Sequence, residues 1–170
     1  MKTTNNRRKA AAGDPVDGPQ SPIEDYLCLA LYTASRAVTG RYRDLLAEID
    51  LTYPQYLVMR LLWQRKSAPV KDIGATLALD SGTLSPLLKR LEARGLIRRE
   101  RRADDERSVE ITLTDAGEAM GPKAERVPTE ITCAMGLDEK AIDQLRSTLH
   151  QLTDAVTAAP TERGRGAGRE

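Results

Sequence analysis

Leu27, Leu31, Ala34, Val38, Tyr42, Leu45 and Leu46 recur at three- and four-residue steps, the spacing that lines one face of an α-helix. The pattern predicts a long first helix from Ser21-Pro22-Ile23-Glu24 to about Glu48. Ser21 supplies the cap and Glu24 completes a capping box. Thr52-Tyr53-Pro54-Gln55 opens a second helix, with Tyr56, Leu57, Met59, Leu61, Leu62 and Trp63 as its apolar content, ending before Lys66-Ser67-Ala68-Pro69. A short helix then spans Val70 to Leu77. After a tight break at Leu79-Asp80-Ser81-Gly82, another runs from Thr83 to about Arg94, apolar at Leu84, Leu87, Leu88 and Leu91 and closed by Gly95. Two short helices so joined form a helix-turn-helix pattern.

The period then changes from helix to strand. Leu96–Arg101 and Ser108–Leu113 alternate apolar and polar positions around the polar turn Arg102–Arg107, which makes a basic hairpin, or wing, after the helix pair. One further helix is expected from near Thr114-Asp115-Ala116. Past a Gly136-Leu137 break, another starts near Asp138-Glu139 and runs through Ile142, Leu145, Leu149 and Leu152. The fold class expected is mainly α with a small β wing: a winged helix-turn-helix over residues 53–113, with residues 21–52 and 114–158 as a helical dimerisation region. The dimer is formed by the N- and C-terminal helices. Residues 1–20 and 159–170, rich in Gly, Pro and charge, are expected to be disordered tails.

Composition narrows the function. The chain has 170 residues, no Phe, one His and two Cys, and is 40% hydrophobic. No apolar run reaches the roughly 18 residues a membrane span needs, and no signal-peptide core opens the chain, so a cytoplasmic protein with no membrane partner is expected. Cys28 and Cys133 match no zinc-ligand spacing, His150 reads as a surface or satisfied structural residue, and GxxxxGK[ST] and GxGxxG are absent. No metal, no cofactor and no enzyme activity are therefore expected. The overall net charge of +1 hides an asymmetry: residues 71–102 hold eight basic and four acidic side chains, whereas residues 113–162 hold four and nine. A cationic middle fits a polyanion.

Double-stranded DNA is that polyanion, on this reading, and a pseudo-palindromic operator follows from a two-fold protein. Ser81, Thr83 and Ser85 offer hydroxyls to phosphates or base edges, Gly82 permits close approach, and Pro86 fits the first turn of the recognition helix. Lys89 and Arg90 follow one turn on. Arg101, Arg102 and Arg107 of the wing can enter or flank the minor groove, with Asp105 orienting Arg107 through an ion pair.

Cys28 supplies the candidate chemistry. Tyr32 lies one turn along on the same face. Tyr42, four turns away, cannot reach Cys28 within one subunit but can approach it across a two-fold axis, and Tyr53 can converge there. Phenols donating to sulfur favour the thiolate, the form that attacks peroxides. Cys133 is the candidate to resolve a sulfenic acid as a disulfide, and spacing leaves open whether the pair lies within or between chains.

These residues resemble the MarR family of winged-helix repressors and, within it, the two-cysteine type of the organic-hydroperoxide-responsive repressors, OhrR. The resemblance rests on Leu27-Cys28-Leu29-Ala30-Leu31-Tyr32, Thr52-Tyr53-Pro54-Gln55-Tyr56, Leu79-Asp80-Ser81-Gly82-Thr83-Leu84 and Asp105-Glu106-Arg107-Ser108, and covers about residues 24–155. It implies Cys28 as the peroxidatic thiol, Tyr42 and Tyr53 as its hydrogen-bond partners from the other subunit, Ser81–Arg90 in the major groove and Arg107 at the minor groove. It also implies that Cys133 resolves Cys28 between subunits. The function expected is a homodimeric repressor that releases its operator when an organic hydroperoxide oxidises Cys28. Two alternatives stand beside it: the same repressor released by a noncovalent phenolic ligand, and a thiol peroxidase that turns over.

Overall fold

The computed structural model describes residues 21–101 and 109–159. The chain divides into two compact units, Met1–Ile131 and Thr132–Glu170.

In the first unit the chain enters through one tight 3₁₀ turn, Ile23–Asp25, and α1 follows over Leu27–Leu46. The capping box expected at Ser21 does not form. Pro22 is extended (ψ 141°), the turn closes on Pro22 and Ile23 carbonyls, and Tyr26 is extended again (ψ 127°), so the α-helix starts afresh at Leu27. Short 3₁₀ turns seldom propagate, because their hydrogen bonds are poorly aligned. Cys28 therefore lies in the first turn of α1 rather than in its second.

The α2 helix, Tyr53–Arg65, begins as expected: Thr52 and Gln55 form a reciprocal capping box and Pro54 occupies the first turn. It supplies the centre of the core through Tyr56, Val58, Met59, Leu61 and Leu62. The α3 helix, Val70–Leu77, contributes Ile73, and α4, Ser81–Ala93, contributes Leu84, Leu87, Leu88 and Leu91. Gly95 ends that helix in the left-handed region (φ 69°), the conformation its lack of a Cβ permits.

The wing strands are β2, Ile97–Arg101, and β3, Val109–Leu113. The segment Lys66–Pro69, read in the sequence only as a break, also carries a strand, β1 (Ser67–Pro69), and the antiparallel sheet has the order β1-β3-β2. Three residues are too few to display a period. The strand exists because Lys66, at φ 68°, redirects the chain and lets Ala68 bury itself opposite Ile111.

A single helix was expected between Thr114 and Gly136. It is divided instead into α5, Asp115–Met120, a tight turn at Pro122–Ala124, and α6, Arg126–Met135. Pro122 has no N–H to continue the ladder, so the α-helical bonding gives way to a 3₁₀ turn although Gly121 keeps helical dihedrals. Cys133 accordingly sits on the sixth helix, not the fifth. Gly117 locks α5 down: its N–H donates to the Thr114 hydroxyl at 3.1 Å, and its carbonyl accepts from the Trp63 indole at 2.9 Å.

The second unit holds the end of α6 and α7, Glu139–Ala158, which starts where expected and is capped by the Asp138 carboxylate, accepting from the Ala141 N–H at 2.8 Å. No residue of α7 is buried, and Leu145, Leu149 and Val156 are exposed. The N-terminal turns of α1 are similar in the first unit: Leu27 is 48% exposed, and Leu46, at the far end, is the helix's one buried residue. Among the described residues no helix is long and apolar enough to cross a membrane, and no His, Cys, Asp or Glu cluster could hold a metal.

Candidate nucleic-acid interface and thiol site

The first turn of α4 is built on Asp80. Its carboxylate accepts from the Thr83 N–H and from the Thr83 hydroxyl, both at 2.9 Å, and so caps the helix two residues earlier than the hydrophobic pattern suggested. Those bonds, the backbone one foremost, hold the Asp80 carboxyl below the ordinary carboxylate range. Below its unfolded pKa the unfolded chain takes up a proton more readily than the folded one, so the cap is intact at neutral pH and is lost as pH falls through the depressed value. Asp80→Ala should fray the start of α4 and weaken any function that depends on it, with a loss of helical ellipticity that the wild type reproduces only in acid.

With Leu84, Leu87, Leu88 and Leu91 turned into the core, Ser81, Gly82, Thr83, Pro86, Lys89 and Arg90 lie exposed and Ser85 half-buried. Pro86 is the sixth residue of α4 and not part of its first turn. Its missing N–H leaves the Gly82 carbonyl without the usual partner four residues on, which the earlier start of the helix explains. The other end of α4 is held by a residue the pattern did not single out. Arg94 donates to the backbone carbonyls of Asp50 and Ile49 and pairs with the Asp50 carboxylate at 3.3 Å, tying α4 to the corner between α1 and α2. Asp50 itself is left-handed (φ 51°). In the wing, Arg101 is exposed at the end of β2. Arg102, Asp105 and Arg107 lie outside the described residues.

Cys28 and Cys133 are free and exposed, the first in the first unit and the second in the other. Tyr32, 57% exposed, accepts a hydrogen bond from Arg36 at 3.0 Å, and the guanidinium lies 5.6 Å from its ring centre. Tyr42 of α1 and Tyr53 of α2 pack with ring centres 4.3 Å apart; Tyr56 stands 5.8 Å from Tyr42 and continues to Trp63 at 6.2 Å. The structure thus brings Tyr42 and Tyr53 together and adds Tyr56, which the sequence showed only as a core position. Within one chain Tyr42 is about 21 Å along the helix from Cys28, given the rise of 1.5 Å per residue.

Burial, with the neighbouring phenols of Tyr53 and Tyr56 next in importance, pushes the Tyr42 pKa up to about 12; burial raises Tyr53 and Tyr56 as well. All three remain neutral donors at physiological pH. The sign is that of a group whose folded pKa is raised: its contribution to stability is whole below pH 10 and is lost as pH climbs toward 12. An alkaline titration followed by phenolate absorbance should show Tyr42, Tyr53 and Tyr56 ionising above the range of free tyrosine, the lag vanishing in denaturant.

The helix pair, the three-stranded wing and the capped fourth helix define a winged helix-turn-helix protein. Residues 51–109 match the MarR family. The organic hydroperoxide resistance transcriptional regulator of Bacillus subtilis (strain 168) is 44% identical over 137 residues, 79% of this chain and 91% of that protein. Among solved structures, reduced AbfR bound to DNA superposes with a TM-score of 0.67 at 34% identity, covering 77% of this chain and 91% of that one. The disulfide-formed state of AbfR, a protein of Staphylococcus epidermidis, gives 0.57 at 35% identity over 75% and 89%. The chain belongs to the MarR family and is a transcriptional regulator.

Proposed function

We propose that the protein is a homodimeric repressor that binds a pseudo-palindromic DNA operator and senses organic hydroperoxides through Cys28. The observation that carries the reading is the packed Tyr42–Tyr53 pair, two phenols held as neutral donors, on a chain whose Cys28 is exposed in the first turn of an α1 with one buried residue. Residues 21–52 and 114–158 form the dimer, covering the exposed Leu27, Leu145 and Leu149; residues 53–113 read DNA. A second protomer brings Tyr42 and Tyr53 to the sulfur that they cannot reach in their own chain, with Tyr32 completing its surroundings.

The chemistry balances. The Cys28 thiolate attacks one peroxide oxygen, an S–O bond forms, the O–O bond breaks, and the departing alkoxide takes a proton to leave as an alcohol. The resulting sulfenic acid condenses with the Cys133 thiol, releasing water and forming a disulfide. On DNA, Ser81, Gly82, Thr83, Ser85, Pro86, Lys89 and Arg90 face the major groove and Arg101, Arg102 and Arg107 the minor groove, with Asp105 orienting Arg107. The two recognition helices stand about 34 Å apart. The resemblance to a regulator named for organic hydroperoxide resistance, and to one solved both DNA-bound and as a disulfide, supports this reading. Operator binding measured with and without cumene hydroperoxide tests it: equal affinity refutes the sensing role.

A second reading, release by a phenolic or aromatic acid, draws on a cavity of about 390 Å³ lined by Arg60, Trp63, Lys66 and Glu118, an aromatic wall beside two cations. Only that reading predicts release under reducing conditions. Steady consumption of peroxide with a reductant would favour a peroxidase instead.

A further inference from the structure

A cleft of about 500 Å³, lined by Leu46, Ala47, Asp50, Arg90, Ala93 and Arg94 among others, lies between the end of α1 and the end of α4. Among the described residues, only Arg94 sends a side-chain hydrogen bond or ion pair across it. Its guanidinium donates to the Asp50 carbonyl and, at 3.4 Å, to the Ile49 carbonyl, and stands 3.3 Å from the Asp50 carboxylate. That carboxylate is 92% exposed, where an ion pair contributes little. The grip is therefore on the main chain.

This stretch of main chain is an extension of α1. The 3₁₀ turn Ala47–Ile49 follows Leu46 without a break. The Asp50 N–H donates to the Ala47 carbonyl at 3.2 Å, and the Leu51 N–H to the Leu46 carbonyl at 3.3 Å. Leu46, Ile49 and Leu51 are buried, so the corner moves with the last turn of α1. A planar guanidinium fork on two neighbouring carbonyls follows their orientation as well as their position.

At its other end Arg94 closes α4, its N–H donating to the Arg90 carbonyl at 3.2 Å. That helix is about 20 Å long and is held along its middle by Leu84, Leu87, Leu88 and Leu91. A pull of about 1 Å at Arg94 tilts it and carries the exposed Ser81, Gly82 and Thr83 a similar distance the other way. Hydrogen bonds tolerate only about half an ångström.

We infer that Arg94, holding the Ile49 and Asp50 carbonyls, passes a displacement of the Cys28-bearing helix to the recognition helix, and so converts oxidation into release of DNA. The inference rests on the hydroperoxide-sensing reading given above. It makes Arg94 a positioning residue, acting through α4 rather than on the sulfur or the duplex.

The ratio of DNA affinities before and after treatment with cumene hydroperoxide measures this coupling. The probe is an operator duplex selected from random DNA by the reduced, full-length wild type, and mass analysis of alkylated thiols confirms equal oxidation of every variant. The wild-type ratio should be about tenfold or more. Arg94→Met keeps the stem but removes every donor. It should bind within about twofold of wild type when reduced, with a ratio below about threefold. Asp50→Asn keeps both carbonyls and suits the left-handed backbone at φ 51°, so its ratio should match the wild type. A purely structural tie would lower both affinities together and leave the ratio alone. Should Arg94→Met melt early, Arg94→Gln, too short to reach the same carbonyls, carries the same test.

A variant at Arg94 that keeps the wild-type ratio overturns the inference and leaves the sensing reading in place. So does a reduced Arg94→Met protein that binds as weakly as the oxidised wild type. A ratio lost equally in Asp50→Asn would put the tie in the carboxylate and overturns the assignment to the main chain. A wild type whose affinity ignores oxidation overturns both readings.

Discussion

Gly117→Ala should destabilise the protein by roughly 3 kcal/mol or more, read as a drop in the urea midpoint with an unchanged slope. A Cβ at this position would overlap the carbonyl oxygen of Leu96 and come within 3.0 Å of its carbon and 3.2 Å of Leu113 Cδ2. Backbone cannot yield as the tip of a flexible side chain can. The Leu96 carbonyl is itself fixed by the Thr114 N–H at 3.2 Å, at the junction where the wing meets α5. Any shift of Gly117 also drags on the Trp63 indole bond at 2.9 Å, leaving a half-buried donor short of its partner. The glycine is required here for room, not for an unusual backbone angle. A variant as stable as wild type would mean that α5 can slide relative to β2 at little cost.

Cys28→Ser should leave operator affinity in reducing buffer close to wild type and abolish the response to organic hydroperoxide. In the wild type, oxidation should weaken binding by tenfold or more, since misaligned recognition helices forfeit several contacts of about 1–3 kcal/mol each. Serine nearly preserves the size of the side chain but lacks the nucleophilic sulfur, so the two proteins differ in chemistry before they differ in packing. Tyr42→Phe and Tyr53→Phe remove single donors and should slow the response without ending it. Cys133→Ser should lose part of the response, because small thiols can trap the sulfenic acid. Release of the Cys28→Ser protein by hydroperoxide would remove that thiol from the mechanism.

Much of this architecture is legible in the chain because its signals are local. The Thr52–Gln55 box and the Gly95 stop are each written within a few residues of the boundary they set, and α2, α3 and the wing strands appear where the pattern places them. The errors arise where two local signals compete. Ser21 and Glu24 spell a capping box, yet Tyr26 turns extended and the helix starts later. Asp80 caps α4 ahead of the break read at Gly82, which moves Pro86 from the first turn into the helix interior. The apolar spacing of residues 115–135 ignores Pro122, the residue that ends α5.

At the candidate site, Tyr42 and Tyr53 were legible by type and the structure adds their contact. Tyr56 and Arg94 were not, because each is recruited by tertiary neighbours: Tyr56 by two rings, Arg94 by carbonyls more than forty residues away.

The buried Leu46 and the exposed Cys28 stand at opposite ends of one unbroken twenty-residue rod. That is about 27 Å of helix between them at 1.5 Å per residue. With the inner end clamped in the core and Cys28 exposed at the outer end, a swing of roughly 5° about Leu46 moves the tip by about 2 Å, more than a hydrogen bond can stretch and survive. Small tilts at the pivot and large travel at the sulfur are thus the same motion seen from two ends.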